Sequence, residues 1–266
     1  MNWIEALILG LIQGLTEFLP VSSSGHLEIG KAIFGIHSTE SLTFTVVVHA
    51  ATVMSIIVVF WNDIVALFKS LFTFKNNEDN RYILKLLLSV VPVIVLGLLF
   101  ADELEQLFTG NLLYVGAMLV VTAGLLTWAH FAKDGKREIT FLDSLIIGIA
   151  QAIAVIPGIS RSGATISAAL ILGNKKSQVA KFSFLMVIIP VVGAVGKDLY
   201  DNYIATPVVT SDKIGLGVLA VGFVTAFVSG LLACRWMLKI VKNSSLIYFA
   251  IYCLIAGLVA IGFSLI

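Results

Sequence analysis

Six apolar runs of about the 20 residues that a helix needs to cross a bilayer recur along this chain, at roughly 41–61, 83–101, 112–130, 181–200, 214–234 and 246–266. Inside hydrocarbon the backbone has no water to bond, so runs of this length close their hydrogen bonds internally, as helices. Composition agrees: 59% of the residues are hydrophobic and only 12% are charged, far from the balance of a soluble domain. Mean hydropathy is +1.02. The sequence predicts an all-α integral membrane protein with six transmembrane helices. A net charge of +1 argues against a nucleic-acid partner. Glu5, the lack of any Lys or Arg before Lys31 and the lack of a small-residue cleavage pattern predict that no signal peptide is removed and that the mature chain starts at Met1. Cys234 and Cys253 both fall in apolar runs and are expected to be small core residues, not a disulfide or a metal site.

Two segments are left over, 3–35 and 142–173, and they look like copies of one another. Laying 9–25 over 147–163 at a single offset brings Gly10 onto Gly148, Gln13 onto Gln151, Ser22 onto Ser160, Ser24 onto Ser162 and Gly25 onto Gly163. Weaker echoes continue downstream, Phe44 with Phe184 among them. The chain is therefore read as one membrane domain of two repeats, 1–136 and 137–266, each a leftover segment plus three spans. Each leftover segment reads as an apolar helix, a break at Pro20 or Pro157, a Ser/Gly-rich turn and a second short helix, with Ser22, Ser23, Ser24 and Ser160 as natural N-caps. A first helix of about 17 residues ends at membrane depth, so both segments are predicted to be re-entrant helical hairpins.

Charge then orients the chain. The loop after the first span holds Lys69, Lys75, Arg81 and Lys85, whereas the next holds Asp102, Glu103 and Glu105 and no base. By the positive-inside rule the first loop is cytoplasmic and the second external. Continuing the alternation, Lys133, Lys136, Arg137, Lys175, Lys176 and Lys181 fall inside, 198–213 outside, and Arg235, Lys239 and Lys242 inside. Three spans per repeat is an odd number, so the repeats are expected to be inverted and the hairpins to meet near the midplane from opposite faces.

The stretch 13–28 packs two acids, an amide, three consecutive hydroxyls and an imidazole into an apolar chain, and exposure of such groups to lipid costs several kcal/mol each. Gln13 and Glu17 are four apart and share a helix face just ahead of the Pro20 break. The second turn, Pro157 to Thr165, carries Arg161, the only cation in either turn. A Ser/Gly turn opening a helix presents free N–H groups and the positive end of the helix dipole, and a guanidinium adds donors suited to phosphate oxygens. If Ser22 to His26 faces Ser160 to Thr165, two such N-termini share one pocket and a diphosphate is the economical ligand.

The run Gln-x-x-x-Glu, then Phe-Leu-Pro-Val-Ser-Ser-Ser-Gly-His at 13–26, and Pro-Gly-Ile-Ser-Arg-Ser-Gly-Ala-Thr at 157–165 resemble the two signature motifs of the bacterial undecaprenyl-diphosphate phosphatase family, also called the bacitracin resistance protein family. Length, repeat and span pattern extend the resemblance over essentially the whole chain. It implies a cell-membrane hydrolase that removes the terminal phosphate of undecaprenyl diphosphate, giving the monophosphate carrier used in peptidoglycan synthesis, and a link to resistance against bacitracin, which sequesters that substrate. By position, the resemblance assigns the motif carboxylate to Glu17, the motif serine and histidine to Ser23 and His26, and the motif arginine to Arg161. It further implies a divalent cation, Mg or Ca, at Glu17. Gln13 stands where the family has Glu or Gln and cannot titrate, so Glu17 acts alone or with Glu28, which has no motif support. Glu17 is expected to activate Ser23 or a water, with His26 as proton donor or as nucleophile; the residues do not choose between Ser23 and His26. Gln13, Ser22, Ser24, Gly25, Ser160, Ser162, Gly163 and Thr165 are the candidate substrate contacts.

Other roles compete. Arg161 can brace Glu17, the serines can be caps, and Thr165 can back-bond a carbonyl. His49 reads as an interior histidine unless it nears the pocket; His37 and His130 fall at the interface, and Phe60, Trp61, Trp128, Tyr200 and Tyr203 anchor span ends. The rival function is a transporter of polyprenyl phosphates, because inverted repeats with broken helices also build secondary transporters. A binding scaffold is a weaker third. Oligomeric state is left open.

Overall fold

The computed structural model describes residues 1–36, 42–72, 77–100, 103, 104, 107, 111–132, 135–200, 214–243 and 246–265. Among these, twelve helices follow one another: α1 (Trp3–Phe18), α2 (Ser23–Phe34), α3 (Leu42–Val59), α4 (Trp61–Leu71), α5 (Glu78–Leu99), α6 (Leu112–Phe131), α7 (Phe141–Ile153), α8 (Arg161–Ile171), α9 (Lys176–Met186), α10 (Ile188–Tyr200), α11 (Leu216–Asn243) and α12 (Ile247–Ser264). Pairing outside the helices is limited there to one isolated bridge, Arg137 with Asn174. Five helical stretches are long and apolar enough to cross a membrane, and six if the α3–α4 pair is one bent span. His37, Tyr203, Asp102 and Glu105 lie outside the described residues.

The first span departs from a straight rod. It ends at Val59, Phe60 takes φ −104° and ψ 21°, and the chain turns by 78° into α4. The makeup of α4 explains the bend: the 18 residues of α3 already rise about 27 Å, so a straight continuation would carry Trp61 and Phe68 out into water, whereas a helix lying across the surface leaves them exposed to lipid with Asn62, Asp63 and Lys69 wet beside them. The span expected at 181–200 is found as one stretch, Lys176–Lys197, interrupted only at Val187, which keeps helical φ and ψ; Pro190 has no N–H to return to the Met186 carbonyl. The helix expected to stop near 234 runs on to Asn243.

Four close crossings tie the bundle together: α1 along α11, α6 along α12, α3 along α11, and α7 along α5. Small residues permit the approach. A Cβ on Gly10 would stand 2.7 Å from the Gly222 carbonyl oxygen, and one on Gly116 would stand 2.7 Å from that of Gly257. Without a hydrophobic force between helices in lipid, such backbone-close packing supplies much of the adhesion. The main core lies where the end of α1 meets α4, α8, α9, α11 and α12, with Phe18 edge-on to Phe184 at 5.5 Å and Phe60 also 6.5 Å from the Phe184 ring. Cys234 and Cys253 are free and buried in this core. Outside it, Leu98, Trp128, Phe131 and Leu216 present bare apolar surface, which suits a lipid-facing belt.

Candidate active site

Two broken helix pairs, α1–α2 and α7–α8, place the polar residues. In the first, Leu19 is forced extended (ψ 144°) by the proline that follows it, and α1 stops. The chain turns through Ser22, a non-glycine residue at φ 68°, whose hydroxyl accepts from the Gly25 N–H at 3.3 Å and caps α2. In the second, Gly158 sits at φ 96°, and a Cβ there would lie 2.5 Å from the Val115 carbonyl oxygen, so only glycine fits. Thr122 of α6 clamps this turn: its hydroxyl donates to the Gly158 carbonyl and accepts from the Ser160 N–H, both at 3.0 Å. The two breaks touch directly. Ser162 donates to the Leu19 carbonyl at 3.0 Å, and the Cys253 thiol of α12 donates to the Pro20 carbonyl at 3.5 Å.

At this junction Glu17 is enclosed by donors. Ser23 Oγ donates to Glu17 Oε2 at 2.6 Å, Gln13 Nε2 donates to the same oxygen at 2.9 Å, and Arg161 Nη2 donates to Oε1 at 2.5 Å. With only 9% of the Glu17 side chain exposed, these three donors take the place of the water that a buried carboxylate would otherwise lack. Arg161 is held in turn by the Ser183 carbonyl at 3.4 Å. Glu17, Ser22, Ser23, Ser24 and Arg161 line a cavity of about 360 Å³ together with Val93, Ala154, Val155, Val187, Pro190 and Val191. The first residues of α2 and α8 thus contribute to one cavity, whose lining combines polar and apolar side chains.

The remaining candidates are placed otherwise. His26 is not among the residues lining the cavity: Nδ1 donates to the Ser22 carbonyl at 2.8 Å, and Nε2 meets the Tyr252 hydroxyl at 2.7 Å, with the two rings stacked. Ser160 caps α8 by accepting from the Gly163 N–H. Thr165 back-bonds the Arg161 carbonyl at 2.9 Å and shares a hydrogen bond with Ser183. Gly25 packs against Gly158, and Gln13 lies fully buried behind Glu17.

The cavity also takes in residues that the motifs do not single out. His49 of α3 lines it with Nε2 4.0 Å from Glu17 Oε2, its Nδ1 donating to the Thr45 carbonyl. Glu28 lines it too, but is paired with Lys31 at 3.1 Å. Gln151 completes the wall. A lone histidine in an apolar run, the first lysine of the chain and the register match of Gln151 to Gln13 were the only signals the sequence offered for these.

Residues 6–259 match the family described as bacitracin resistance protein BacA. A protein of Parabacteroides distasonis named undecaprenyl-diphosphatase is 53% identical over 266 residues, covering 100% of this chain and 99% of the relative. One of the same name from Bacteroides fragilis is 53% identical over 98% of both chains, and one from Christiangramia forsetii is 50% identical over 99% of both. Nearly the whole chain, including both broken helix pairs, falls within the match, and the protein belongs to the BacA family.

Proposed function

We propose that this protein hydrolyses undecaprenyl diphosphate to undecaprenyl phosphate and inorganic phosphate in the bacterial inner membrane. The observation that carries the reading is one hydrogen-bonded chain, Ser23 to Glu17 to Arg161, in a cavity also lined by valines, alanines and a proline. Glu17 takes the proton of Ser23 as Oγ attacks the distal phosphorus; the bond to the bridging oxygen breaks and lipid phosphate leaves. Water then cleaves the phosphoserine and the proton returns through Glu17. Arg161 and the N–H groups opening α2 and α8 face the charge that builds up on the phosphoryl oxygens. Geometry favours Ser23 over His26 as nucleophile, since both nitrogens of His26 are engaged by Ser22 and Tyr252.

A divalent cation fits as a partner of the substrate more than of the protein. Among the described residues no three of His, Cys, Asp or Glu cluster to hold a metal, but Gln13 Oε1 is a buried amide oxygen without a partner, next to Glu17. Glu17 and Gln13 would supply two hard oxygen ligands and the diphosphate the rest, as Mg sites commonly do. The cation would neutralise phosphate charge when bound.

Inverted repeats and re-entrant hairpins are supported by the crossed packing: α1 lies on α11 and α7 on α5, so each broken pair leans on a span from the other half of the chain. Charge sorting is supported by contact, because Lys181 pairs with Asp63, Lys175 with Glu138, and Arg137 bonds the Leu172 carbonyl. The segments assigned to the cytoplasm therefore meet at one face. Met1, Ile36 and Ile214 gather with another cluster. The cavity is accordingly proposed to open outward, where bacitracin competes for the same lipid. Thiol labelling of intact cells should modify a cysteine placed at 103 and spare one at 136; the reverse would invert the orientation.

The test of function is phosphate release from a polyprenyl diphosphate by purified protein in detergent, with and without chelator, beside Ser23→Ala. Release lost in the variant supports the phosphatase. Lipid bound without release, by folded wild-type protein, would favour a polyprenyl-phosphate transporter instead.

A further inference from the structure

Gln151 is the repeat counterpart of Gln13, yet its surroundings differ in one respect. Gln13 gives its amide N–H to Glu17, four residues on. The residue four beyond Gln151 is Val155, and among the described residues neither Nε2 nor Oε1 of Gln151 has a hydrogen-bond partner. The residue is 2% exposed. Leaving a buried amide unpaired is unfavourable, and either orientation of the amide leaves the same donor and acceptor unmet. Gln151 also lines the cavity that holds Glu17, Ser23 and Arg161. A side chain with this profile is kept for a ligand.

Its neighbours say which part of the ligand. Ala154 and Val155, three and four residues on, line the same cavity and belong to its apolar wall with Val93, Val187 and Val191. Gln151 therefore shares one cavity with the reacting groups and with the valines. With the distal phosphorus at Ser23 and Arg161, and the isoprenoid chain against the valines, the group between them is the lipid-side phosphate. We propose that the Gln151 carboxamide binds the lipid-side phosphate, the one that leaves, by donating its N–H groups to the non-bridging oxygens while its carbonyl accepts from a water or from the phosphate's own proton. This rests on the diphosphatase reading above. A neutral donor suits the position, since it grips the leaving phosphate without the full charge attraction that would hold the product back.

The experiment uses the full chain in detergent with a short polyprenyl diphosphate and two apolar replacements, Gln151→Met and Gln151→Leu. The expected result is a KM raised about tenfold and a Ki for polyprenyl monophosphate raised alike, with kcat within about threefold, inhibition by inorganic phosphate unchanged, and thermal stability equal or higher. A KM and Ki equal to wild type in folded variants would overturn the proposal. So would loss of folding in both, which would make Gln151 a packing residue. If wild-type protein releases no phosphate yet binds polyprenyl monophosphate about tenfold better than Gln151→Met does, the phosphatase reading fails while this inference stands.

Discussion

The two broken helix pairs share a frame and divide the chemistry. Both start on a capping box, both stop ahead of a proline, and both reopen on a serine that caps the next helix. The first, with a break of residues 19–22, keeps Glu17 inside α1 and puts Ser23 at the start of α2. The second unwinds sooner, at Ile153, and at the positions matching Glu17 and Ser23 it has Val155 and Arg161. One pair supplies acid and hydroxyl, the other cation and apolar wall. A lipid diphosphate needs such an unlike pair, because its reacting end is anionic and its other end is hydrocarbon.

The sharpest way to break the comparison is to make the first pair as inert as the second. Ser23→Ala should lower turnover by at least ~10³-fold, and Glu17→Gln by about 10²- to 10⁴-fold, the range for loss of a nucleophile's base. Both keep the size of the side chain, so the fold should persist in a melting assay. Near-normal phosphate release from Ser23→Ala would transfer the attack to water.

Next in size is the second pair's own contribution. Arg161→Ala should reduce kcat/KM by about 10²- to 10³-fold, as removal of a charge-stabilising donor does. Arg161→Lys should fall between, because an ammonium cannot reach Glu17 Oε1 and the Ser183 carbonyl with a guanidinium's fixed fork. If Lys and Ala are equally stable but equally inactive, geometry matters more than charge; if Ala simply unfolds, Arg161 is a brace for the buried Glu17.

The comparison can also be sharpened by making the second pair resemble the first. Val155→Glu offers Gln151 an acid where Gln13 has one and puts a negative charge on the apolar wall. A KM for polyprenyl diphosphate about tenfold higher is expected, with Val155→Gln closer to wild type. Equal kinetics in the two variants would mean that the walls do not serve different ends of the substrate.

Much of this division can be read in the chain before any fold is seen. Proline, glycine and serine mark both breaks, and Glu17, Ser23 and Arg161 stand out because polar groups are rare in an apolar sequence; the three side chains meet in one hydrogen-bonded chain. What stays hidden is adjacency. His26 belongs to the same motif but turns to Tyr252, 226 positions away, and no local pattern records that choice. His49 enters the site from a span whose apolar residues look alike whether they face lipid or protein, so hydropathy locates the helix without saying which side is inside. The bend at Phe60 escapes for a related reason: the run stays apolar through Trp61, and only the surface position of the next turn decides its direction. Thr122, which clamps the second break, sits in an unremarkable turn of α6.

The smallest expected difference lies at the starts of the two pairs, away from the chemistry. Asn2 and Glu5 cap α1 in an exposed box, with the Asn2 N–H donating to Glu5 Oε2 at 2.7 Å. Thr140 and Asp143 cap α7, and there the acid is buried and also takes Arg137 at 2.8 Å and the Asn174 amide at 3.1 Å. Burial acts to raise the Asp143 carboxyl's pKa, but the Thr140 N–H, Asn174 and Arg137 outweigh it and hold the group below the ordinary aspartate range. An acid whose folded pKa is depressed adds stability in full above its unfolded value, about 3.9, and loses it as pH falls through the folded one. Glu5→Ala should therefore weaken the protein by only about 1 kcal/mol, the ordinary worth of a cap. Asp143→Ala should exceed that at pH 7 and leave turnover at 25 °C unchanged, while its gap from wild type closes on acidification below about pH 4. Thermal melts of both variants at pH 7 and at the lowest pH the detergent allows would decide it. Equal losses at pH 7 would mean that the buried network around Asp143 adds nothing to an ordinary cap, and that the two pairs differ only where substrate binds.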